Sequence, residues 1–349
     1  MKKILLAATA LSLSAGGMML SAGSADAQNV SIGNADLRFG GYARFGVDYN
    51  STRPNVVTDD RWRTTNRFRL QIDLSTTTDT GLTFGARQRF QVDNGAGATG
   101  NQVRFFATFE GLTVAFGNIL GVIESTPNLY LTGVPSAGVG LNGNGFHSLA
   151  ANTASNNGFF GWTAYSSGGA SAVNGVEAIY TFGDFTVHAH LTDDRTLGPV
   201  NGNVLGRTGS RGEAIGVRGT FADVTVGLGY ERFRRGSRDG DELLFASVGY
   251  SFGDGNVSLS YARTEYGATF AAPDGKANKW SLSGGWNVMP DLYAYGFAAR
   301  ENNGVGTSYG LGASYALGGG ASFEAGYTRG RDAGGSGINI FSTGIFFAF

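Results

Sequence analysis

The chain contains no cysteine, which excludes a disulfide framework and any thiolate nucleophile or thiolate metal site. Charge is scarce as well: Asp, Glu, Lys and Arg make up 15% of the 349 residues, well under the roughly 25% of ordinary soluble domains. Beyond residue 27 no apolar run approaches the ~18 residues that a membrane helix requires, and no segment sustains a helical period. Lysine is nearly missing, since only Lys276 and Lys279 remain after that point against 22 Arg. Removing Lys2, Lys3 and Asp26 leaves 24 basic and 26 acidic side chains, and 24 less 26 is a net charge of −2. That near balance gives no argument for a nucleic-acid partner. Glycine, by contrast, is plentiful at 58 residues, beside 42% hydrophobic and 12% aromatic residues. Such a chain can bury surface and is not of disordered composition.

The N-terminus reads as an export signal. Met1, Lys2 and Lys3 form a short basic start, an apolar and small-residue stretch follows to Leu20, and Ala25-Asp26-Ala27 has the small-x-small form of a cleavage site. The sequence therefore predicts a signal peptide over 1–27, a mature chain over 28–349, and export by the general rather than the twin-arginine route.

The mature chain alternates with a period of two. Over 61–75, Trp62, Phe68, Leu70, Ile72 and Leu74 alternate with Arg61, Arg63, Arg67, Arg69, Gln71 and Asp73. Over 184–192, Phe185, Val187, Ala189 and Leu191 alternate with Thr186, His188, His190 and Thr192. Each is a strand with one polar and one apolar face. Short Gly, Asp and Pro connections, such as Gly183, Ala222-Asp223 and Met289-Pro290, alternate with longer ones. Sixteen strands satisfy that rhythm: 36–49, 61–75, 81–92, 101–110, 111–118, 174–182, 184–192, 211–221, 223–234, 241–252, 255–267, 277–288, 291–300, 306–317, 320–330 and 337–349. Reading 159–165 as a seventeenth would move the 193–210 connection to the turn side, so 119–173 is taken as one long connection, a length usually reserved for function.

Strands of this length are sufficient to cross a bilayer at a tilt, and closure removes the unpaired edges that lipid forbids. The expected fold is all-β, a sixteen-stranded antiparallel transmembrane β-barrel with apolar side chains outward and polar ones lining a wet bore. Aromatics near strand ends, Trp62, Tyr230, Tyr250, Trp286, Tyr293 and Phe347, are expected at the two lipid interfaces.

The sharpest functional signal is arginine. On the alternation Arg44, Arg67, Arg69, Arg87 and Arg89 share the polar face near mid-strand, and five guanidinium groups at one level give the bore a positive potential. The alternative is scattered charge balanced by Asp48, Asp73, Asp93 and Glu110. His188 and His190 project to one side but no third ligand stands at recognisable spacing, so lumen-lining roles outweigh a metal site. The GxGxxG match at 138–143 follows no βαβ strand and carries no dinucleotide argument. No GxSxG elbow supports a barrel hydrolase. The stretch 232–242 has four Arg that could meet lipopolysaccharide phosphates, while Asp239, Asp241 and Glu242 could share Ca2+ or another divalent cation; a solvated loop with internal charge pairing is an equal reading.

The segments Gly41-Tyr42-Ala43-Arg44-Phe45-Gly46, Asn66-Arg67-Phe68-Arg69-Leu70, Thr80-Gly81-Leu82-Thr83-Phe84-Gly85-Ala86-Arg87 and Val114-Ala115-Phe116-Gly117-Asn118, with the terminal Phe349, make the chain resemble the trimeric general-diffusion porins of Gram-negative bacteria, most closely those of photosynthetic alphaproteobacteria. The resemblance implies a homotrimer in the outer membrane, contact with membrane lipids, and reading of Phe349 by the barrel-assembly machinery. It also implies that the third extracellular loop, here 119–173, folds into the barrel as a constriction, with Arg44, Arg67, Arg69 and Arg87 resembling the basic wall opposite it. The loop departs from that pattern because Glu124 is its one carboxylate. The function expected is passive diffusion of small hydrophilic solutes and ions, anion-preferring, with no catalysis and no cofactor. A solute-selective channel, a structural or adhesive surface barrel and a barrel hydrolase are the alternatives.

Overall fold

The structure, a computed structural model, describes residues 29–51, 61–93, 99–130, 162–167, 174–193, 197–200, 204–207, 209–266, 275–302, 306–331 and 337–349. The expected signal peptide and the 138–143 match lie outside the described residues. Among those described, sixteen long strands follow one another: β1 Ala35–Asn50, β2 Trp62–Thr77, β3 Thr83–Asp93, β4 Arg104–Phe109, β5 Leu112–Asn118, β6 Asn174–Phe182, β7 Phe185–Asp193 and β8 Arg211–Phe221. They continue as β9 Val224–Arg234, β10 Glu242–Phe252, β11 Gly255–Glu265, β12 Lys276–Met289, β13 Leu292–Glu301, β14 Gly306–Gly318, β15 Ala321–Arg331 and β16 Gly337–Ala348. Every boundary falls within 3 residues of the one read from alternation. Residues 162–167 are irregular, so no seventeenth stave forms there.

Each strand pairs antiparallel with the next, and β16 returns to β1 over Tyr42↔Ala348 to Asn50↔Ile340. The last residue completes the seam: Gly41 N–H donates to the Phe349 carbonyl at 2.8 Å, and Phe349 N–H donates back at 3.1 Å. The sheet therefore has no lipid-facing edge, which is the condition for spanning a bilayer. At the turn between β4 and β5, Glu110 and Gly111 have φ of 45° and 83°, the left-handed pair that a two-residue hairpin with the strands' own twist demands. Short strands Asn29–Ile32 and Thr99–Gly100 extend neighbouring staves, and a hairpin of Leu197–Val200 with Val204–Arg207 stands in the connection after β7.

Alternation sorts the faces as expected from the sequence. Phe45 is 54% exposed on the outside while Arg44 beside it is 1% exposed within. Leu259 and Leu311 stand outward, as do Trp62, Tyr250 and Trp286. Outward rings near the turns form a belt, with Tyr180 5.7 Å from Phe182, Phe185 4.9 Å from Phe221, and Phe252 5.8 Å from Trp286. Tyr293 corrects the interface assignment. It points into the barrel, is buried, and lies over Gly285, where an added Cβ would come within 2.0 Å of its hydroxyl. A ring laid flat on a glycine of the neighbouring strand packs as well inside as outside, and its place near a strand end, which is what assigned it to the interface, does not say which face it is on.

The inner wall is also less polar than expected. Phe233, Leu243, Phe245 and Ala262 face inward from β9, β10 and β11 and are buried together with Ile123 and Leu129 of the long connection, against which Tyr130 and Trp162 pack. The connection enters the barrel with an apolar sequence of its own, so the wall beneath it must be apolar too. It also needs room: a Cβ at Gly216 would sit 2.7 Å from Val122, and one at Gly227 would sit 2.6 Å from Thr126. Inward glycines thus form a groove for the inserted backbone.

A guanidinium placed on the acyl-tail face tests this orientation. Leu259→Arg, at the middle of β11, should lower the unfolding free energy in lipid vesicles by ~2–4 kcal/mol if it lies near the bilayer midplane. Urea titration that finds no loss would contradict an outward, lipid-facing Leu259.

Candidate functional site: an arginine wall facing the inserted loop

Period two puts Arg67, Arg69, Gln71 and Asp73 on the inner face of β2, and the register sets their partners. Arg44 stands opposite Arg67, and Tyr42 opposite Arg69. On the other side Asp93 stands opposite Arg67, Gln91 opposite Arg69, Arg89 opposite Gln71 and Arg87 opposite Asp73. Cationic neighbours this close repel, and the wall offsets the repulsion by interleaving acceptors. Arg67 Nε binds Asp93 Oδ1. Arg87 Nε donates to Asp73 Oδ1 at 2.6 Å. Arg69 Nε donates to Gln91 Oε1 at 2.8 Å and Arg89 Nε to Gln71 Oε1 at 2.6 Å. The amide ends of Gln71 and Gln91 then donate to Asp73 and Asp93 at 2.5 and 2.6 Å. Two carboxylates cancel two guanidinium charges, while Arg69 and Arg89 are held by neutral amides.

All five predicted arginines therefore meet on three adjacent strands. Their register makes the row oblique to the strand pairing rather than a single ring. Of the expected counter-charges, Asp73 and Asp93 join the row, Asp48 is opposite Arg63, and Glu110 sits in the β4–β5 turn. Sequence reasoning missed the roles of Gln71 and Gln91, although Gln-x-Asp occurs twice, at 71–73 and 91–93, with the two-residue spacing that puts both side chains on one face. It also missed Tyr42, whose ring lies 4.9 Å below the Arg69 guanidinium, and Tyr165, whose ring lies 4.6 Å from that of Arg89.

The inserted connection approaches this wall from the far side of the bore. Residues 119–130 run across the inner faces of β6 to β11, where Arg218 donates to the Ser125 carbonyl at 3.3 Å, Ser247 to that of Pro127 at 2.6 Å and Ser260 to that of Asn128 at 2.9 Å. Residues 162–167 come back to the wall, with Arg89 Nη1 3.3 Å from Ser167 Oγ. Glu124 holds the two limbs together, accepting from Tyr130 Oη at 2.7 Å and Trp162 Nε1 at 2.8 Å. The residue is half-buried, and the protein packed around its carboxylate desolvates it and raises its pKa above the usual carboxylate range. The two donated hydrogen bonds and the charges of Arg69 and Arg89 pull the other way. The same burial, with the Glu124 charge, raises the Tyr130 hydroxyl well above its usual value.

The stretch 232–242 divides. Arg232 and Arg234 point outward and share Glu213 at 2.9 and 3.1 Å, with Arg211 at 3.4 Å from the same carboxylate. Arg235 pairs with Asp193. Arg238 turns in, 3.5 Å from the centre of the Phe233 ring and 3.2 Å from Asp241, while Asp239 accepts the Arg235 N–H at 2.7 Å. Among the described residues no group of three or more His, Cys, Asp or Glu could hold a metal ion. His188 and His190, with ring centres 6.4 Å apart, face different carboxylates, Glu177 and Glu231.

A closed barrel with apolar residues outside, arginines inside and a loop laid across its bore is a membrane channel by construction. A family model described as Gram-negative porin matches residues 7–335, and the chain belongs to that family. It is similar to the porin of Fuscovulum blasticum, 26% identical over 235 residues that span 65% of this chain and 73% of that one. It is also similar to the porin of Rhodobacter capsulatus, 29% identical over 250 residues, 68% of this chain and 70% of that one. Among solved structures, a mutant of Rhodopseudomonas blastica porin superposes with a TM-score of 0.69 over 90% of this chain and 100% of that one, at 23% identity, which bears on the fold. The protein is an outer-membrane porin, and its barrel is the channel.

Because burial raises Glu124 above the ordinary carboxylate range, it takes up its proton early as pH falls, and the loop then loses its one carboxylate. Zero-current potentials in a salt gradient should therefore move toward anions on acidification. Glu124→Gln should show the shifted potential already at neutral pH and lack that step; an unchanged titration in the variant would remove Glu124 from the permeation path.

Proposed function

We propose that this porin passes small hydrophilic solutes and ions passively and prefers small anions. In this reading 119–173 is the constriction loop, and Arg44, Arg67, Arg69, Arg87, Arg89 and Glu124 line the narrowing. The observation that carries it is the way Arg69 and Arg89 are held: their partners are the amide oxygens of Gln91 and Gln71, so their charge is oriented without being cancelled. Fixed positive charge in a narrow bore with low-dielectric walls concentrates anions and repels cations. The loop opposite supplies a single carboxylate, and its raised pKa further weakens any opposing field.

The same reading assigns no catalytic step, takes 1–27 as the export signal and has the barrel-assembly machinery read Phe349. It makes the working unit a homotrimer. In the same reading the outward cluster of Arg211, Arg232 and Arg234 at the loop end of β8 and β9 binds lipopolysaccharide phosphates; what supports it is that three guanidinium groups share one Glu213 and so leave positive charge over.

Charge reversal on the wall is the direct test. Arg67→Glu combined with Arg69→Glu should carry the zero-current potential of single channels in a planar bilayer from the anion side to the cation side. An unmoved potential, or cation preference in the unaltered protein, would falsify the anion reading. Native mass spectrometry in mild detergent should give a trimer carrying lipopolysaccharide, and Arg232→Ala with Arg234→Ala should lower the bound lipid without dissociating the trimer; equal lipid content in both would remove that surface.

A further inference from the structure

The wall of β6 to β9 carries buried side chains that the arginine row does not use, and three of them turn toward the backbone of the inserted loop. Glu177 on β6 accepts the Leu120 N–H at 2.9 Å and the Gly121 N–H at 3.4 Å. His190 on β7 accepts the Val122 N–H through Nδ1 at 3.1 Å. Glu231 on β9 accepts the Thr163 N–H of the returning limb at 3.1 and 3.2 Å. Four backbone donors inside the barrel, where strand pairing cannot reach them, are thus taken by three side chains, each 3% exposed or less.

The three tethers differ in what acid does to them. Glu177 is locked in its charged form by geometry: Arg104 of β4 stands 2.7 Å from Oε1 and His188 stands 3.0 Å from Oε2. Arg218 of β8 adds its charge to the same pair. Protonating His188 would strengthen that ion pair. His190 is the opposite case. To accept from Val122 its Nδ1 must be bare, so the ring is neutral with its proton on Nε2, which faces Glu231 at 3.4 Å. A second proton goes onto Nδ1, turns the acceptor into a donor, and sets it against the Val122 N–H; the imidazolium then gains attraction from Glu231 and from Glu177, its cross-strand neighbour. The other side of His190 is Ala214, which has no charge to offer, and the loop's own nearby titratable group is Glu124.

We propose that Glu177, His190 and Glu231 are the positioning residues that hold both limbs of the loop against the wall, and that His190 is the member acid releases, so that the first limb detaches from β7 at low pH while Glu177 and Glu231 keep the loop in the barrel. This rests on the reading of 119–173 as the constriction. The consequence is a pore whose conductance state changes when acid turns this acceptor into a donor.

Single-channel recording of the full protein in planar bilayers, at about pH 7.5 and about pH 5, tests the proposal with two variants. His190→Asn keeps an acceptor oxygen near the Nδ1 position and cannot take the proton; His190→Ala keeps neither. The unaltered channel should show a roughly five- to ten-fold rise in time spent in altered-conductance states on acidification, the effect of losing one buried hydrogen bond. His190→Asn should stay quiet at both pH values, and His190→Ala should be noisy at both. Acid response in His190→Asn equal to that of the unaltered protein, or quiet traces from His190→Ala, overturns the proposal. Amide exchange of the peptide containing Leu120, Gly121 and Val122, corrected for intrinsic rates, reads the tether without reference to conduction. If exchange follows the predicted pattern while conductance does not, the tether stands and the constriction reading fails. If exchange in the unaltered protein does not respond to acid, the tether itself is wrong.

Discussion

A chain whose outer face meets acyl tails has no water there to take up an unpaired N–H or C=O, so each stave requires two neighbours and the sheet must close. In this porin the seam between β16 and β1, finished by the reciprocal hydrogen bonds of Gly41 and Phe349, is where that requirement is met. Everything else follows from it. Closure with a two-residue period forces half of the side chains outward and half inward, and the outward half must be apolar whatever the inward half does. That freedom is what lets the inside carry arginine at a density that a soluble core would not tolerate.

The inserted loop faces the same problem from within. Its backbone groups lie away from the strand ladders, and the barrel supplies partners as side chains: serines on β10 and β11 for carbonyls, and the carboxylates and imidazole on β6, β7 and β9 for N–H groups. Glycine on the wall gives the clearance, and the apolar patch of Phe233, Leu243 and Phe245 gives the loop's hydrophobic residues something to bury against. Wall glycines such as Gly216, Gly227 and Gly229 are thereby explained by the close approach of the loop's side chains rather than by turns.

How much of this could be read beforehand follows from the range of each signal. Alternation is local and strict, so the strand boundaries and the grouping of Arg44, Arg67, Arg69, Arg87 and Arg89 on one face were visible in the sequence. Whether an inward side chain touches water or a folded-in loop depends on residues far away in the chain, and nothing local distinguishes the two. Leu243 and Phe245 alternate with Leu244 and Val248 so that both faces of β10 look apolar, and only the position of Ile123 and Leu129 says which face meets the loop. Tyr293 was lost for a related reason, because a ring over Gly285 is a contact between two strands. The His188 and His190 pair was visible as a motif, but its partners, Glu177, Glu231 and the Val122 N–H, come from three separate places in the chain.

The two halves of the bore treat charge in opposite ways, and the difference is one of partner chemistry. Under the loop's first limb, Glu177 meets Arg104 at 2.7 Å and its charge is cancelled; the side chain works as a fixed acceptor. On the facing wall, glutamine stands between Arg69 or Arg89 and the nearest aspartate, and donates its own amide hydrogens onward to Asp73 and Asp93. Glutamine can orient a guanidinium through its oxygen and a carboxylate through its nitrogen without transferring charge to either. Replacing it by glutamate would keep an acceptor for the guanidinium but cancel its charge and lose the hydrogen bond donated to the aspartate. The wall is therefore ordered like a salt-bridge network but remains net positive at Arg69 and Arg89.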